Sequence, residues 1–263
     1  MDWEVICLLA VVAFGAGFFD AIAGGGGLIT LPSLILAGIE PISAIATNKF
    51  QAASATVSAT VEFSRRGLIE WQKCKFLMFF GALGGAGGAL LVSTINKRWL
   101  EAFVPLMLIV VALYFAFAPR FSQEKGRERI SIFLFSFIVA PILGFYDGVF
   151  GPGVGSFFMI GFVFLCGLGM MRAMSFTKLA NASCNLGSLS IFITKGVIIW
   201  PLALAMAAAA FAGAQLGARC AVRVGPRLVK PMLVVVCTAL AVKLLSAPSN
   251  PLRLGLLQLI GYQ

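Results

Sequence analysis

Apolar residues run through this chain in long blocks separated by short polar stretches. The blocks fall at 4–23, 28–39, 41–63, 73–95, 99–118, 130–150, 155–169, 173–194, 200–222 and 228–245. A helix needs about 20 mainly apolar residues to cross the ~30 Å hydrocarbon layer of a bilayer. Most of the blocks meet that length, so the pattern predicts an all-α polytopic membrane protein. Two do not. At ~1.5 Å per residue the block 28–39 reaches only about 18 Å, and 155–169 is little longer. Each follows a cluster of glycines. The pattern therefore predicts that 17–39 and 144–169 are each two helical limbs meeting at a glycine break, crossing or re-entering the membrane, and not pairs of ordinary spans. The end of the chain, 248–263, opens with Pro248 and Pro251 and then turns amphipathic. It reads as an interfacial tail and not as a span.

Composition sharpens this. Of 263 residues 60% are hydrophobic and 11% charged, against ~45–50% and ~25% in soluble domains. Soluble enzymes, nucleic-acid binders and disordered chains are excluded. The net charge of +10 would suit a nucleic-acid partner, but its basic residues sit in the short loops between apolar blocks, where they set topology. The chain has no histidine and no clustered carboxylates, so neither a metal nor a cofactor site is expected. The six cysteines mostly lie inside apolar blocks without C-x-x-C spacing and read as small core residues. The N-terminus carries Asp2 and Glu4 ahead of a long apolar run, which is not the pattern of a signal peptide.

The chain repeats itself. Gly17-Phe18-Phe19-Asp20 before Gly24–Gly27 recurs as Gly144-Phe145-Tyr146-Asp147 before Gly151-Pro152-Gly153, 127 positions on. From residue 44 the offset is 129 and pairs Lys49 with Lys178, Gly67 with Gly196, Trp71 with Trp200, Gly84 with Gly213 and Gly88 with Gly217. Paired lysines, tryptophans and aspartates in order mark a duplication. The expected organisation is a first membrane repeat at 1–118, a cytoplasmic linker at 119–129, a second repeat at 130–247 and the tail at 248–263, with about five membrane segments per repeat. Loop charge orients the halves. Residues 64–75, 119–129 and 219–230 are basic, which places them in the cytoplasm. The repeat mate of 64–75 is 195–199, with only Lys195. The bias has changed sides, so the halves are expected to be inverted relative to each other, with both termini outside. Cys74 falls in the first basic loop and is expected to report its side to an impermeant thiol reagent. Inverted repeats can open alternately to either face.

Ionisable residues inside apolar blocks cost about 2.5–3.5 kcal/mol each at a helix centre. Asp20 and Asp147, and Lys49 and Lys178, are such residues and form two repeat-related pairs. Either each aspartate neutralises a lysine, or the four build a substrate and proton site between the repeats. The glycine clusters precede short apolar helices, where free backbone N–H groups at a positive helix end can hold an anion. The expected site is one small anion held by N–H groups of Gly25, Gly26 and Gly27 and of Gly153 to Ser156, Gly155 included. Lys49 and Lys178 supply charge, Asn48, Thr177 and Asn181 supply neutral donors, and Asp20 or Asp147 takes a coupling proton. Helical spacing places Asn48, Gln51 and Ser54–Ala55 near one stripe and Lys178, Asn181 and Asn185 near another. The mid-helix glycines Gly84, Gly85, Gly87, Gly88, Gly213 and Gly217 read instead as close helix packing.

The motif G-F-x-D-x-I-A-G-G-G-G-L-x-T-x-P with the following A-T-N-K resembles the TauE/SafE sulfite exporter family, and G-F-Y-D-G-x-F-G-P-G-x-G-S-F is similar to its YfcA-like bacterial branch. The resemblance covers nearly the whole chain. It implies an inner-membrane secondary transporter of small sulfur-containing anions such as sulfite or organosulfonates, working in the lipid bilayer without a cofactor. The family's motif positions fall on Asp20, Gly24 to Gly27, Pro32, Asn48 and Lys49, and on Asp147, Gly151, Gly153, Ser156 and Lys178. Thr177 stands where Asn48 would be matched, so the half-sites are not chemically identical. A passive anion channel of the same architecture is the nearer alternative. An intramembrane aspartyl protease is disfavoured, because its G-x-G-D signature is missing and Asp20 is the duplicate of Asp147. The choice of anion, the direction of transport and association with further copies of the chain are left open by the sequence.

Overall fold

In the computed structural model, residues 2–96 and 127–224 are described, with positions 99, 100, 107 and 110 between them. The expected segment 228–245, most of 99–118, most of the linker 119–129 and the tail 248–263 lie outside the described residues.

Among the described residues every regular element is a helix. The first half holds α1 (Trp3–Ala23), α2 (Gly27–Leu36), α3 (Pro41–Arg65) and α4 (Trp71–Val92). The second holds α5 (Ile132–Val149), α6 (Val154–Phe164), α7 (Met170–Lys195) and α8 (Trp200–Val224). Local signals set several boundaries. Pro41 opens α3 at a position that needs no N–H donor. Ser131 accepts from Leu134 N–H at the start of α5, and Gly196 closes α7 in the left-handed conformation.

Four helices, α1, α4, α5 and α8, are long and apolar enough to cross a membrane. They form the outside of the bundle, with Leu8, Val11, Leu83, Leu90, Phe137, Ile142, Leu204 and Phe211 exposed on them. Large apolar side chains facing outward over four helices suit a lipid surface. The helices α3 and α7 are also long, but rich in Ser, Thr, Asn, Lys and Gln, and most of their residues are buried. Several of their hydroxyls are satisfied within the helix: Thr56 donates to Ala52 O, Thr60 to Thr56 O, Ser183 to Leu179 O and Ser188 to Cys184 O. Such bonds to the preceding turn, together with bonds from Ser54 and Ser58 to Ala207 O and Phe211 O of α8, let polar helices lie inside this bundle.

The packing is reciprocal. α1 lies along α8, and α4 lies along α5. Glycines let these backbones touch: Gly17 faces Ala210, and Gly213 and Gly217 face Phe14 and Phe18. Likewise Gly84 and Gly88 face Pro141 and Phe145, and Gly144 and Gly148 face Gly81 and Gly85. The expectation of close packing at Gly84, Gly85, Gly88, Gly213 and Gly217 is met. Gly87 is looser, its nearest neighbour being the Phe145 ring.

At the centre α3 and α7 run antiparallel. Ser175, near the start of α7, donates to Leu68 O just beyond the end of α3 (3.0 Å). The Ile199 N–H beyond the end of α7 donates to Thr47 near the start of α3 (3.2 Å). The 66–70 loop also meets Arg172 through Glu70 (3.0 Å), and Arg129 N–H donates to Leu165 O (2.8 Å). The polar stretch 64–75 and the end of the linker at 127–131 therefore gather at one end of the bundle, beside 165–172. Cys74 requires a correction. It lies in the first turn of α4 and is fully buried, because it is turned towards the bundle while Gln72 and Lys73 face out. It cannot serve as a thiol reporter.

Candidate functional site

The site grows from the two glycine breaks. α1 ends where Gly24 takes φ 80° and its N–H returns to Asp20 O (2.8 Å). Three residues later α2 begins. In the second half, α5 ends at Val149, Gly151 and Gly153 take φ 97° and 84°, and α6 begins at Val154. Tyr146 OH donates to Pro152 O (2.7 Å) and braces this turn. The breaks meet each other. A Cβ added to Gly155 would lie 2.6 Å from Gly24 Cα, and one on Gly24 would lie 2.7 Å from the Gly155 carbonyl carbon. Only glycine on both sides allows that approach, and at Gly24 the positive φ excludes other residues as well.

Beside this crossing stand Asp20, Asp147, Lys49 and Lys178, the charges inside apolar blocks. Lys49 Nζ on α3 lies 2.7 Å from Asp147 Oδ1 on α5. Lys178 Nζ on α7 lies 2.8 Å from Asp20 Oδ2 on α1. Each lysine thus pairs with the aspartate of the other half. Lys49, Lys178 and Asp147 are 1–2% exposed and Asp20 14%. The neutralising pairs foreseen from the sequence are present. An ion buried away from water is tolerable only when paired and further hydrogen-bonded, and Gly26 N–H donates to Asp20 Oδ1 (2.9 Å).

Between the pairs lies a cavity of about 30 Å³, lined by both breaks, by Asp20 and Asp147, and by Asn48, Lys49, Gln51, Asn181 and Asn185 among others. That is room for about one or two waters. Thr30 donates to Asn48 Oδ1 and to Gly26 O (3.1 Å), tying α2 to α3. Among the described residues, four buried side-chain atoms have no hydrogen-bond partner: Asp147 Oδ2, Thr177 Oγ1, Asn181 Oδ1 and Asn185 Oδ1.

The structure brings most of the expected residues together. Gly26, Gly27, Gly153, Asn48, Lys49, Asn181, Asp20 and Asp147 line the cavity, and Lys178 touches it through Asp20. Gly25, Gly155, Ser156 and Thr177 are not part of the lining, although Gly155 packs on Gly24 and near the Asn181 amide. Two details differ from expectation. The Gly26 N–H is committed to Asp20, so the negative group at the start of α2 is the protein's own carboxylate. The Ser156 N–H is committed to Gly153 O (3.0 Å). Ser54 also leaves its expected stripe. It donates to Ala207 O on α8 (2.9 Å), because one residue of helical rotation turns it from the cavity to the neighbouring helix. Thr30 and Gly151 contribute without having been singled out as binding residues, and Val154, inside the expected Gly153 to Ser156 run, lines the cavity. For Thr30 the available signal was a polar residue one turn into an apolar helix. Asn185, placed on the expected stripe, lines the cavity.

Outside the spanning segments, one carboxylate is electrostatically tuned. The Lys73 ammonium at 2.6 Å, with Arg172 beyond it, holds the Glu70 carboxyl below the usual carboxylate range. Further in, Glu62 joins α3 to α8 by accepting from Arg66 and from Gln215 (2.7 Å), with Arg219 at 3.6 Å.

The family model described as sulfite exporter TauE/SafE matches residues 9–244. A "Probable membrane transporter protein ORF9" of Sinorhizobium sp is 42% identical over 256 residues, covering 97% of this chain and 98% of that protein. The "Probable membrane transporter protein YfcA" of Escherichia coli K12 is 40% identical over 90% of this chain and 88% of its own length. A "Probable membrane transporter protein" of Haemophilus influenzae is 37% identical over 92% and 94%. No solved structure matches.

Proposed function

The chain belongs to the TauE/SafE sulfite exporter family of membrane transporters, and from that premise we propose that it is a secondary transporter of small sulfur-containing anions, such as sulfite or organosulfonates, in the bacterial inner membrane. The transport step is alternating access between two inverted repeats. One observation carries the reading. Lys49 with Asp147 and Lys178 with Asp20 are reciprocal ion pairs between opposite halves, set against a small cavity that both glycine breaks line.

This arrangement suits a carrier for physical reasons. The four charges sum to zero, so the site can exist at membrane depth without a ligand. An incoming anion competes with the aspartates for the lysines, which keeps binding reversible. At about 30 Å³ the cavity cannot admit an oxyanion until the halves part. Their mutual surfaces, antiparallel α3 and α7 flanked by the glycine seams, are where such a movement would occur. The short helices α2 and α6 are the re-entrant or broken crossings of the two repeats.

The test is exchange of labelled sulfite and methanesulfonate across liposomes containing the purified protein. With the membrane potential held at zero by equal K+ on both sides and valinomycin, trapped unlabelled anion should still drive transient accumulation of label against its gradient, which a passive channel cannot do at zero potential. Lys49→Ala and Lys178→Ala should each lower exchange at least tenfold. Their melting temperatures should be measured alongside, because removing one partner of a buried pair costs about 3–5 kcal/mol. Lysine variants that exchange as the parent does would reduce the pairs to structural counter-ions.

A further inference from the structure

We propose that Asp147, and not its sequence mate Asp20, takes up one proton with each anion and moves it across the membrane with that anion. This rests on the transporter reading above and adds to it the chemistry of coupling.

The two aspartates occupy matching places in the repeats but not matching environments. Asp20 uses both oxygens: Oδ1 accepts from Gly26 N–H (2.9 Å) and Oδ2 from Lys178 (2.8 Å). Asp147 uses one. Its Oδ1 faces Lys49 at 2.7 Å, while Oδ2 is buried with no partner. The same cavity wall carries Asn181 and Asn185, whose Oδ1 atoms also lack partners. At the equivalent places in the first half, 129 positions earlier, stand Ala52 and Thr56, and the Thr56 hydroxyl is satisfied by Ala52 O (2.7 Å). Unpaired acceptors are therefore gathered on the second-half side of the cavity. A buried acceptor without a donor costs about 1–3 kcal/mol. What relieves a wall of acceptors is a donor, and a proton on Asp147 makes Oδ2 one.

The charges give the coupling. With Asp147 ionised, Lys49 is neutralised in place. When water on the loading side delivers a proton, an O–H bond forms at Asp147 and the ion pair opens. Lys49 then keeps an uncompensated positive charge beside the cavity. One monovalent anion cancels it, accepting from Lys49 and from the Asp147 O–H. On the far side the anion leaves, the O–H bond breaks to water and the pair closes again. Net movement is one anion with one proton, and its direction follows the sum of the two gradients. Lys49 from α3 and Asp20 from α1 act on Asp147, and Asp147 in turn faces Cys184 of α7 and its neighbour Tyr146. Lys178 is held by Asp20 (2.8 Å). Residues 76–92 of α4 and all of α6 contain no charged residue. Asp20, though partly exposed, has its two oxygens tied to the first helix break and to Lys178, which fits it to hold that break in shape.

The experiment follows protons and anions together. The protein is placed in liposomes with a trapped pH dye and given inward gradients of methanesulfonate or sulfite. Methanesulfonate stays ionised throughout, so proton movement with it belongs to the protein. The parent should acidify the lumen as anion enters, and its uptake should rise about tenfold per unit fall in pH where Asp147 is mostly ionised, as one proton per anion requires. Asp147→Asn should still exchange anion but show no lumen acidification and a flat pH profile. The double variant Lys49→Gln/Asp147→Asn leaves no buried charge unpaired; it should fold with a melting temperature near the parent's and be equally flat. Asp20→Asn should slow transport at every pH and keep the slope. Anion flux in the parent without proton movement, or a pH slope that survives in both Asp147 variants or vanishes in Asp20→Asn alone, would overturn the proposal while leaving the transporter reading intact. A parent protein that exchanges neither anion would remove both.

Discussion

At the scale of the residue, the least forgiving positions are glycines where two backbones touch. A methyl at Gly88 would run into Phe145 O, and one at Gly85 into Cys184 O, whereas Gly15 has nothing within 4 Å. Overpacking of this kind costs about 1–3 kcal/mol, occasionally more. Gly88→Ala and Gly85→Ala should therefore lower the melting temperature of the detergent-purified protein clearly. Gly15→Ala should leave it unchanged or raise it slightly, since alanine is the better helix former by about 0.5–1 kcal/mol. Equal losses at all three would show that the seams are not tightly packed. That Asp20, Asp147, Lys49 and Lys178 stand apart was legible in the sequence, because charge inside an apolar block is costly and each type recurs at the repeat offset. Which lysine meets which aspartate was not, since that depends on how helices carrying residues 98 (Lys49 and Asp147) and 158 (Asp20 and Lys178) positions apart lie against one another. The unpaired oxygens of Asn181 and Asn185 were equally hidden: an amide's partners are known only once every neighbouring helix is in place.

At the scale of the element, hydrophobic blocks located the helices to within a few residues, and the glycine clusters located the breaks at 24–26 and 150–153. The interior role of α3 and α7 was less visible. Their polar content reads as weak membrane signal until the outer helices are seen to shield them from lipid. The short loop between α3 and α4 also carries a pH-dependent contact. Lys73 and Arg172 depress the pKa of Glu70 in the folded state relative to its ordinary 4.5. A depressed folded value means stabilisation that is complete above the unfolded pKa and is lost as pH falls through the folded one. Lowering pH from about 5 to about 3 should therefore remove this contribution, and Glu70→Gln should lack that part of the acid-induced fall in melting temperature. With Glu70 about a third exposed (32%), solvent screening limits the effect to a few degrees at most. A Glu70→Gln acid profile superimposable on the parent's would show the contact to be immaterial.

At the scale of the whole molecule, sidedness is the first thing to establish. The loop charges predict that 64–75 is cytoplasmic, and the fold puts 127–131 and 165–172 at the same end of the bundle as 64–75 through Arg172–Glu70 and Arg129–Leu165. Since Cys74 is buried, the reporter should be Gln72→Cys in a cysteine-free background, because Gln72 faces outward. An impermeant thiol reagent should label it in inside-out vesicles and not in cells whose outer membrane alone is permeabilised. A Lys195→Cys reporter, beyond the opposite end of the bundle, should show the reverse. Labelling of both from one side would break the inverted arrangement.

The sequence by itself determined that this chain belongs in a membrane, that it is helical, that rare residue types recur in it at a nearly constant offset, where its helices break and which four charged residues fall inside apolar blocks. Each of these follows from one-dimensional regularities: apolar run length against bilayer thickness, glycine clusters against short helices, and a constant offset between rare residue types. Only the tertiary structure decided that the ion pairs cross between halves, that Gly24 meets Gly155, that Gly26 serves Asp20, and that Asp147 keeps an unpaired oxygen where Asp20 has none. The reason is geometric. Pairing and burial depend on the rotation and crossing of helices far apart in the chain, and a rotation of one residue is enough to send Ser54 to α8 while Gln51 and Ala55 stay at the cavity.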